Sequence, residues 1–197
     1  MSFALDSTAL DLLFRDAHTV HAFTDEPVTD EPVTDEQVQA VYDLIKIAPT
    51  AFNQSPLRLT VVRSPEARQR LVQHMAEGNQ AKTAAAPLAV ILSADAEFHE
   101  ELPRLFPAFP AAKDAFFGER SVREQSAVLN AAYFIIGVRA LGLAAGPMNG
   151  IDHAGIQKEF LDEDHFPLMV VNIGKPAADG HFPRSPRLDY AEVSATH

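Results

Sequence analysis

The 197-residue chain contains no cysteine. Disulfides, thiol nucleophiles and cysteine-ligated metals are thereby excluded, and the composition suits a reducing, cytoplasmic compartment. Basic residues are scarce, with 16 Lys and Arg against 27 Asp and Glu, a formal net charge of −11. Nucleic acids and anionic membranes both require basic patches, so neither is an expected partner. No apolar run approaches the ~20 residues needed to cross a bilayer. A charged and then apolar leader is also missing from the first residues. Several catalytic signatures are absent. There is no G-x-G-x-x-G after a strand pattern, no G-x-x-x-x-G-K-[ST] and no G-x-S-x-G, so Rossmann, P-loop and hydrolase-elbow sites are not expected. His99-Glu100-Glu101 lacks the second histidine of a zincin. His18 and His21 are spaced so that they could hold a metal, but a polar loop after a helix equally houses two solvated histidines, and no metal is expected.

What is present is organised around residues 120–150. Arg120, Arg123 and Glu124 form the polar side of an amphipathic start. Past Asn130 the pattern turns apolar all round, through Ala131, Ala132, Tyr133, Phe134, Ile135, Ile136 and Val138. A helix of that kind is buried on every face, so a long central helix is expected to about Leu141, ended by Gly142. The short apolar segment Leu143–Ala145 leads into a predicted turn, Gly146-Pro147-Met148-Asn149-Gly150. Its small residues would let backbone approach a ligand, although composition alone also fits an ordinary connection.

Elsewhere, helix and strand patterns alternate. Ser7–Ala17 reads as a short helix with Ser7 as its cap and Leu10, Leu13 and Phe14 on one face. A five-residue unit, TDEPV, then occurs twice over residues 24–33 and reads as a duplicated acidic surface loop. Its third, altered copy starts a helix: Thr34 and Gln37 make a capping box before the stripe Val38, Val41, Leu44 and Ile45. After the loop Pro49–Pro56, a strand is predicted over Leu57–Val62, a helix from Pro65 to about Met75, and buried strands over Leu88–Ser93 and Leu168–Ile173. Residues 78–82 read as a lead-in to the second of these strands. Short helices broken by Pro103, Pro107 and Pro110 bring an aromatic cover of Leu105, Phe106, Phe109, Phe116 and Phe117. A helix follows over His153–Leu161, and residues 180–197 form a C-terminal arm with Arg184 and Arg187. The expected fold is a single α+β domain spanning 1–197, with helices packed over a small sheet.

The ordered set Pro49-Thr-Ala-Phe-Asn-Gln-Ser-Pro56, Gly78-Asn-Gln-Ala-Lys82, Gly146-Pro-Met-Asn-Gly150 and Pro183-Arg-Ser-Pro-Arg-Leu188 resembles the FMN-dependent nitroreductase family over nearly the whole chain. Within it, the malonic semialdehyde reductase subgroup of pyrimidine catabolism is most similar. The resemblance implies a small, mainly antiparallel sheet, a long buried central helix, and an intertwined homodimer with FMN at the subunit interface. It implies that His18, Thr19 and His21 lie at the phosphate and ribityl end, with Ala17 and His18 where the family carries arginine. Arg187, and with it Arg184, would hold the phosphate. Asn79 would read the flavin pyrimidine edge, and Lys82 would face N1/O2. Pro147, Met148, Asn149 and Gly150 would lie at N5, with the Asn149 or Gly150 N–H donating to it; many relatives have glutamate at the Asn149 position. Pro49, Thr50, Ala51, Asn53 and Ser55 would cover FMN from the other subunit. The implied activity is ping-pong: NADPH or NADH reduces the flavin and leaves. A small carbonyl, quinone or nitro acceptor, such as malonic semialdehyde going to 3-hydroxypropanoate, then takes the hydride. Two other readings use the same residues, a flavin-binding protein with little turnover and a non-enzymatic dimer without FMN.

Overall fold

The structure, a computed structural model, describes residues 3–24, 33–116 and 120–197. Almost all of the duplicated acidic loop, and Phe117, lie outside the described residues.

Helix α1 spans Ser7–Leu10 and continues as one π-helical turn, Asp11–Arg15. Its cap is Asp6, whose carboxylate accepts from Ala9 N–H, and not the expected Ser7. Helix α2 is Asp35–Ile45 and starts with the predicted box, Thr34 and Gln37 bonding reciprocally. Val38, Val41 and Ile45 are buried, but Leu44 is 52% exposed and does not belong to the stripe. Strand β1 is Leu57–Val62, and α3 is Pro65–Gln73, with Ser64 as cap and Pro65 in the first turn. Helix α4, Glu77–Ala85, occupies what the sequence offered only as a lead-in. Strand β2 is Leu88–Asp95, buried throughout. A 3₁₀ turn at Phe98–Glu101 and the short helices α5, Leu102–Leu105, and α6, Ala112–Ala115, follow. Helix α7 is Arg120–Ala140, and Gly142 after it takes a left-handed φ of 76°. Strand β3 is Ala144–Met148, α8 is His153–Phe160, β4 is His165–Gly174 and α9 is Tyr190–Val193.

The four strands form one sheet in the order β1-β2-β4-β3, with every neighbouring pair antiparallel. Alternation along β2 divides the core. Leu88, Val90 and Leu92 face a cluster with Val41, Ile45, Phe134 and Val138, so α2 and α7 cover that side. Ala89 and Ile91 face Leu71, Met75 and Ile156, so α3 and α8 cover the other. A third cluster, Phe98, Leu102 and Ala112 with Phe106 and Phe116, forms the aromatic cover, while Phe109 is 39% exposed.

Three further expectations are corrected. The segment Gly146–Met148, read as a turn, is the second half of an edge strand. Helix α7 is not buried on every face: Val128, Leu129, Ala132 and Tyr133 are exposed, Tyr133 at 42%. Periodicity reports that a face is apolar but not whether the same chain covers it. Arg123 likewise leaves the solvated side, its guanidinium lying 4.8 Å from the Phe166 ring centroid.

Candidate functional site

Strand β3 is the ruler of the site. Proline is tolerated at position 147 because β3 is a sheet edge, where one side needs no ladder donor. The first half of its outer edge is covered by the segment after α1. Val20 N–H donates to the Ala145 carbonyl at 3.1 Å, and the Val20 carbonyl lies against Gly146, where any Cβ would collide with it. That segment is tied on its other side as well, by His21 and Ala22 N–H to the Gly180 carbonyl and by a bridge between Phe23 and Pro176.

At the far end of β3 the main chain is presented rather than consumed. The Gly150 carbonyl accepts from Ala76 N–H at 2.9 Å and from Asn79 Nδ2 at 3.1 Å. A Cβ on Gly150 would lie 2.8 Å from Asn79 Nδ2, so glycine is what lets α4 approach. Asn149 turns back through its carbonyl, which accepts from Ile151 N–H at 3.1 Å. The N–H groups of Asn149 and Gly150 have no acceptor among the described residues. One helical turn on from Asn79, Lys82 is half-buried and pairs with no carboxylate among the described residues. Thr83 beside it is buried against the Met148 sulfur and Asn172. Asn79 thus meets Gly150, and Thr83 meets Met148, so α4 packs against the far end of β3 with Lys82 in its last turn.

At the near end lies a basic groove of about 490 Å³, lined among others by Ala17, His18, Thr19, Arg139, Arg184 and Arg187. His18 stacks on His181, with ring centroids 3.8 Å apart, and His21 stacks on Phe182 at 4.3 Å. The two rings therefore stack on different partners. Arg184 donates to the carbonyls of Arg15 and Ala17, and Arg187 to those of Ser185 and Pro186. Arg139, in the last turn of α7, donates from Nη2 to the His18 carbonyl at 3.2 Å. Burial first, and then His181, Arg184 and Arg139, lower the His18 pKa from its ordinary value, against a smaller opposing effect of Asp16. Burial and then Arg184 likewise hold the Arg139 pKa below the usual guanidinium range. Sequence reasoning missed Arg139, which the end of α7 brings to His18. It missed His181 and Phe182 because their stacking is long-range.

The predicted loop stands apart from both ends in this chain. Thr50 Oγ1 accepts from Ser55 N–H, Ala51 N–H donates to Ser126 Oγ, and Asn53 Nδ2 donates to the Leu105 carbonyl. Phe52, Asn53 and Ser55 all take positive φ, near 50°, which is costly for residues with side chains. The Phe52 ring meets Phe106 and Phe116, with centroids 5.7 and 4.7 Å away. Pro49, Thr50, Ala51, Asn53 and Ser55 contribute nothing to the β3 groove of their own chain. Another metal-capable group, Glu97, His99 and Glu100, lies far along the chain from β3, and its Glu100 carboxylate already bonds Lys113 Nζ.

Ala144 to Met148 spans ~13 Å at ~3.3 Å per residue, so the two ends of β3 are separated by about that length. No helix among the described residues is long and apolar enough to cross a membrane.

Known proteins resemble this chain in sequence and in fold. A Streptomyces coelicolor protein provisionally named NADH dehydrogenase/NAD(P)H nitroreductase is 70% identical, with all of both chains covered. A protein of the same name from Stenotrophomonas maltophilia is 44% identical over 98% of each. Among solved structures, an Exiguobacterium sibiricum nitroreductase in complex with FMN superposes with a TM-score of 0.84 at 18% identity, covering 100% of this chain and 99% of that one. The model of the nitroreductase family matches residues 17–175, and this chain belongs to that family.

Proposed function

We propose that the chain is an FMN-dependent oxidoreductase that takes hydride from NADPH or NADH and passes it to a small acceptor. The observation that carries the reading is the pairing along β3 of two free main-chain donors, at Asn149 and Gly150, with a groove of uncompensated arginines at the opposite end. Bound there, FMN would supply hydride transfer and a stacking surface. The chain's own residues orient and tune it. Arg184 and Arg187 neutralise the phosphate, with His18, Thr19 and His21 beside it, and His21 Nδ1 is buried without a partner among the described residues. Asn79, held by the Gly150 carbonyl, directs its remaining amide atoms to the pyrimidine edge. Lys82 places a cation where negative charge accumulates on reduction. The Asn149 or Gly150 N–H donates at N5. No side-chain acid or base is required of the protein.

The site is completed by a second copy of the chain. The stripe Val128, Leu129, Ala132 and Tyr133 on α7 is apolar yet uncovered, and patches of that kind mark interfaces. Pro49, Thr50, Ala51, Asn53 and Ser55 then cover the flavin from the partner. The narrower reading, malonic semialdehyde as acceptor, rests on the sequence resemblance; nitro and quinone compounds suit the same open slot.

The test is optical. Purified protein should be yellow or become so with FMN, and anaerobic NADPH or NADH should bleach it. Protein that stays colourless with added FMN defeats the proposal. Yellow protein that neither nucleotide bleaches favours the flavin carrier without turnover.

A further inference from the structure

Among the described residues no acidic side chain pairs with Arg139, Arg184 or Arg187. Several other cations find carboxylates, Arg15 with Asp11, Arg58 with Asp95, Arg63 with Asp35, Arg70 with Glu159 and Arg104 with Glu101, and the buried Arg68 is satisfied by the carbonyls of Val62, Thr83 and Ala86. Uncompensated charge has been concentrated in one groove of an acidic protein. Arg139 is the least expected member, because it is half-buried and brought there by the end of α7 rather than by the arm. A guanidinium has five N–H donors. That of Arg139 uses one, on the His18 carbonyl, and lines the same 490 Å³ groove as Arg184 and Arg187. Half-burying the Arg139 charge without a counter-ion is costly, and the exposed Arg184 and Arg187 that share its groove repel it. An anion in the groove relieves both terms.

We propose that Arg139 is a phosphate ligand of the bound flavin nucleotide, acting with Arg184 and Arg187. This rests on the FMN reading and adds a residue from the core of the fold to its anionic end. A purely structural Arg139 would instead serve the α7 dipole and the His18 carbonyl, and would be blind to the phosphate.

Riboflavin, which lacks the phosphate, separates the two roles. Apo-protein is titrated with FMN and with riboflavin, with no nicotinamide nucleotide present, for the wild type, Arg139→Gln and Arg139→Lys. The expected result is a Kd for FMN raised roughly tenfold or more in Arg139→Gln, the scale of one charge-assisted bond, with riboflavin changed less than about twofold. Arg139→Lys, which keeps the charge without the fork, should fall between and keeps the test open if the glutamine variant does not fold. Inorganic phosphate alone should raise the Tm of wild-type apo-protein more than that of either variant. Equal losses for FMN and riboflavin, or unchanged FMN binding, overturn the assignment. Wild-type protein that binds both flavins equally also overturns it while sparing the flavin reading, and protein that binds neither ends both.

Discussion

Arg187 lies on the arm with its guanidinium donating only to nearby carbonyls, so its removal takes away a phosphate contact without unmaking the core. Arg187→Ala should raise the Kd for FMN roughly tenfold. Glu31→Ala, in the acidic repeat, should leave it unchanged, and flavin fluorescence titration measures both. His18 gives a pH signature. Its pKa is lowered in the fold by burial and by His181, Arg184 and Arg139, with Asp16 opposing. As pH falls below the ordinary value of about 6.5, the unfolded chain therefore takes up the proton first, and the apo-protein loses stability until the lowered pKa is passed. Stability is regained above 6.5. Urea unfolding at pH 5.5 and 7.5 should show that difference in the wild type and a smaller one in His18→Asn. Saturating phosphate, by favouring charged His18, should shrink it too. Gly150→Ala brings a Cβ to 2.8 Å from Asn79 Nδ2 and 3.2 Å from Ala76 Cβ. It should weaken flavin binding by displacing the amide that reads the ring, visible as a changed absorption spectrum of the bound flavin.

At the scale of elements, the capping box of α2 and the collision avoided at β3 make stability predictions. Thr34→Ala should cost about 1 kcal/mol in urea denaturation, the value of one N-cap. Gly146→Ala, whose Cβ meets the Val20 carbonyl, should cost more, about 1–3 kcal/mol, because backbone must move. The same elements show what local sequence can carry. Strand β1 was bounded at both ends by its own residues, and β2 was recognisable as a continuous apolar run. Helix α2 announced its first turn through Thr34 and Gln37. Helix α4 did not: Ala76 offers no capping side chain, Gly78 and Asn79 disfavour helix, and only Thr83 is buried. Its structure is held from outside, through the Gly150 carbonyl. Strand β3 was hidden because Gly-Pro reads as punctuation, and its pairing with β4 is a tertiary fact. Strand β4 began earlier than its apolar run, with Pro167 opposite the irregularity between Leu92 and Ser93. The site followed the same rule. The candidates Asn79, Lys82, Asn149 and Gly150 stand in ordered short motifs, whereas Arg139 needed the fold to carry it to His18.

For the whole molecule, the exposed stripe on α7 and the isolation of the 49–56 loop from its own groove lead to one expectation. The chain of 21.5 kDa should sediment as a dimer. Tyr133→Glu, placed in the middle of that stripe, should shift it toward monomer and lose flavin together with the partner's covering loop. A monomeric wild type that still binds FMN would contradict the shared site. The central claim, that β3 organises a working flavin site, is tested most directly by one anaerobic titration. Apo-protein is loaded with FMN, and absorbance near the flavin band is followed as NADPH or NADH is added. Stoichiometric binding followed by full bleaching, and recovery of colour when a quinone or nitroaromatic is admitted, is the predicted result. A chain that takes up no FMN at micromolar concentration, or whose bound flavin neither nucleotide reduces, would contradict it.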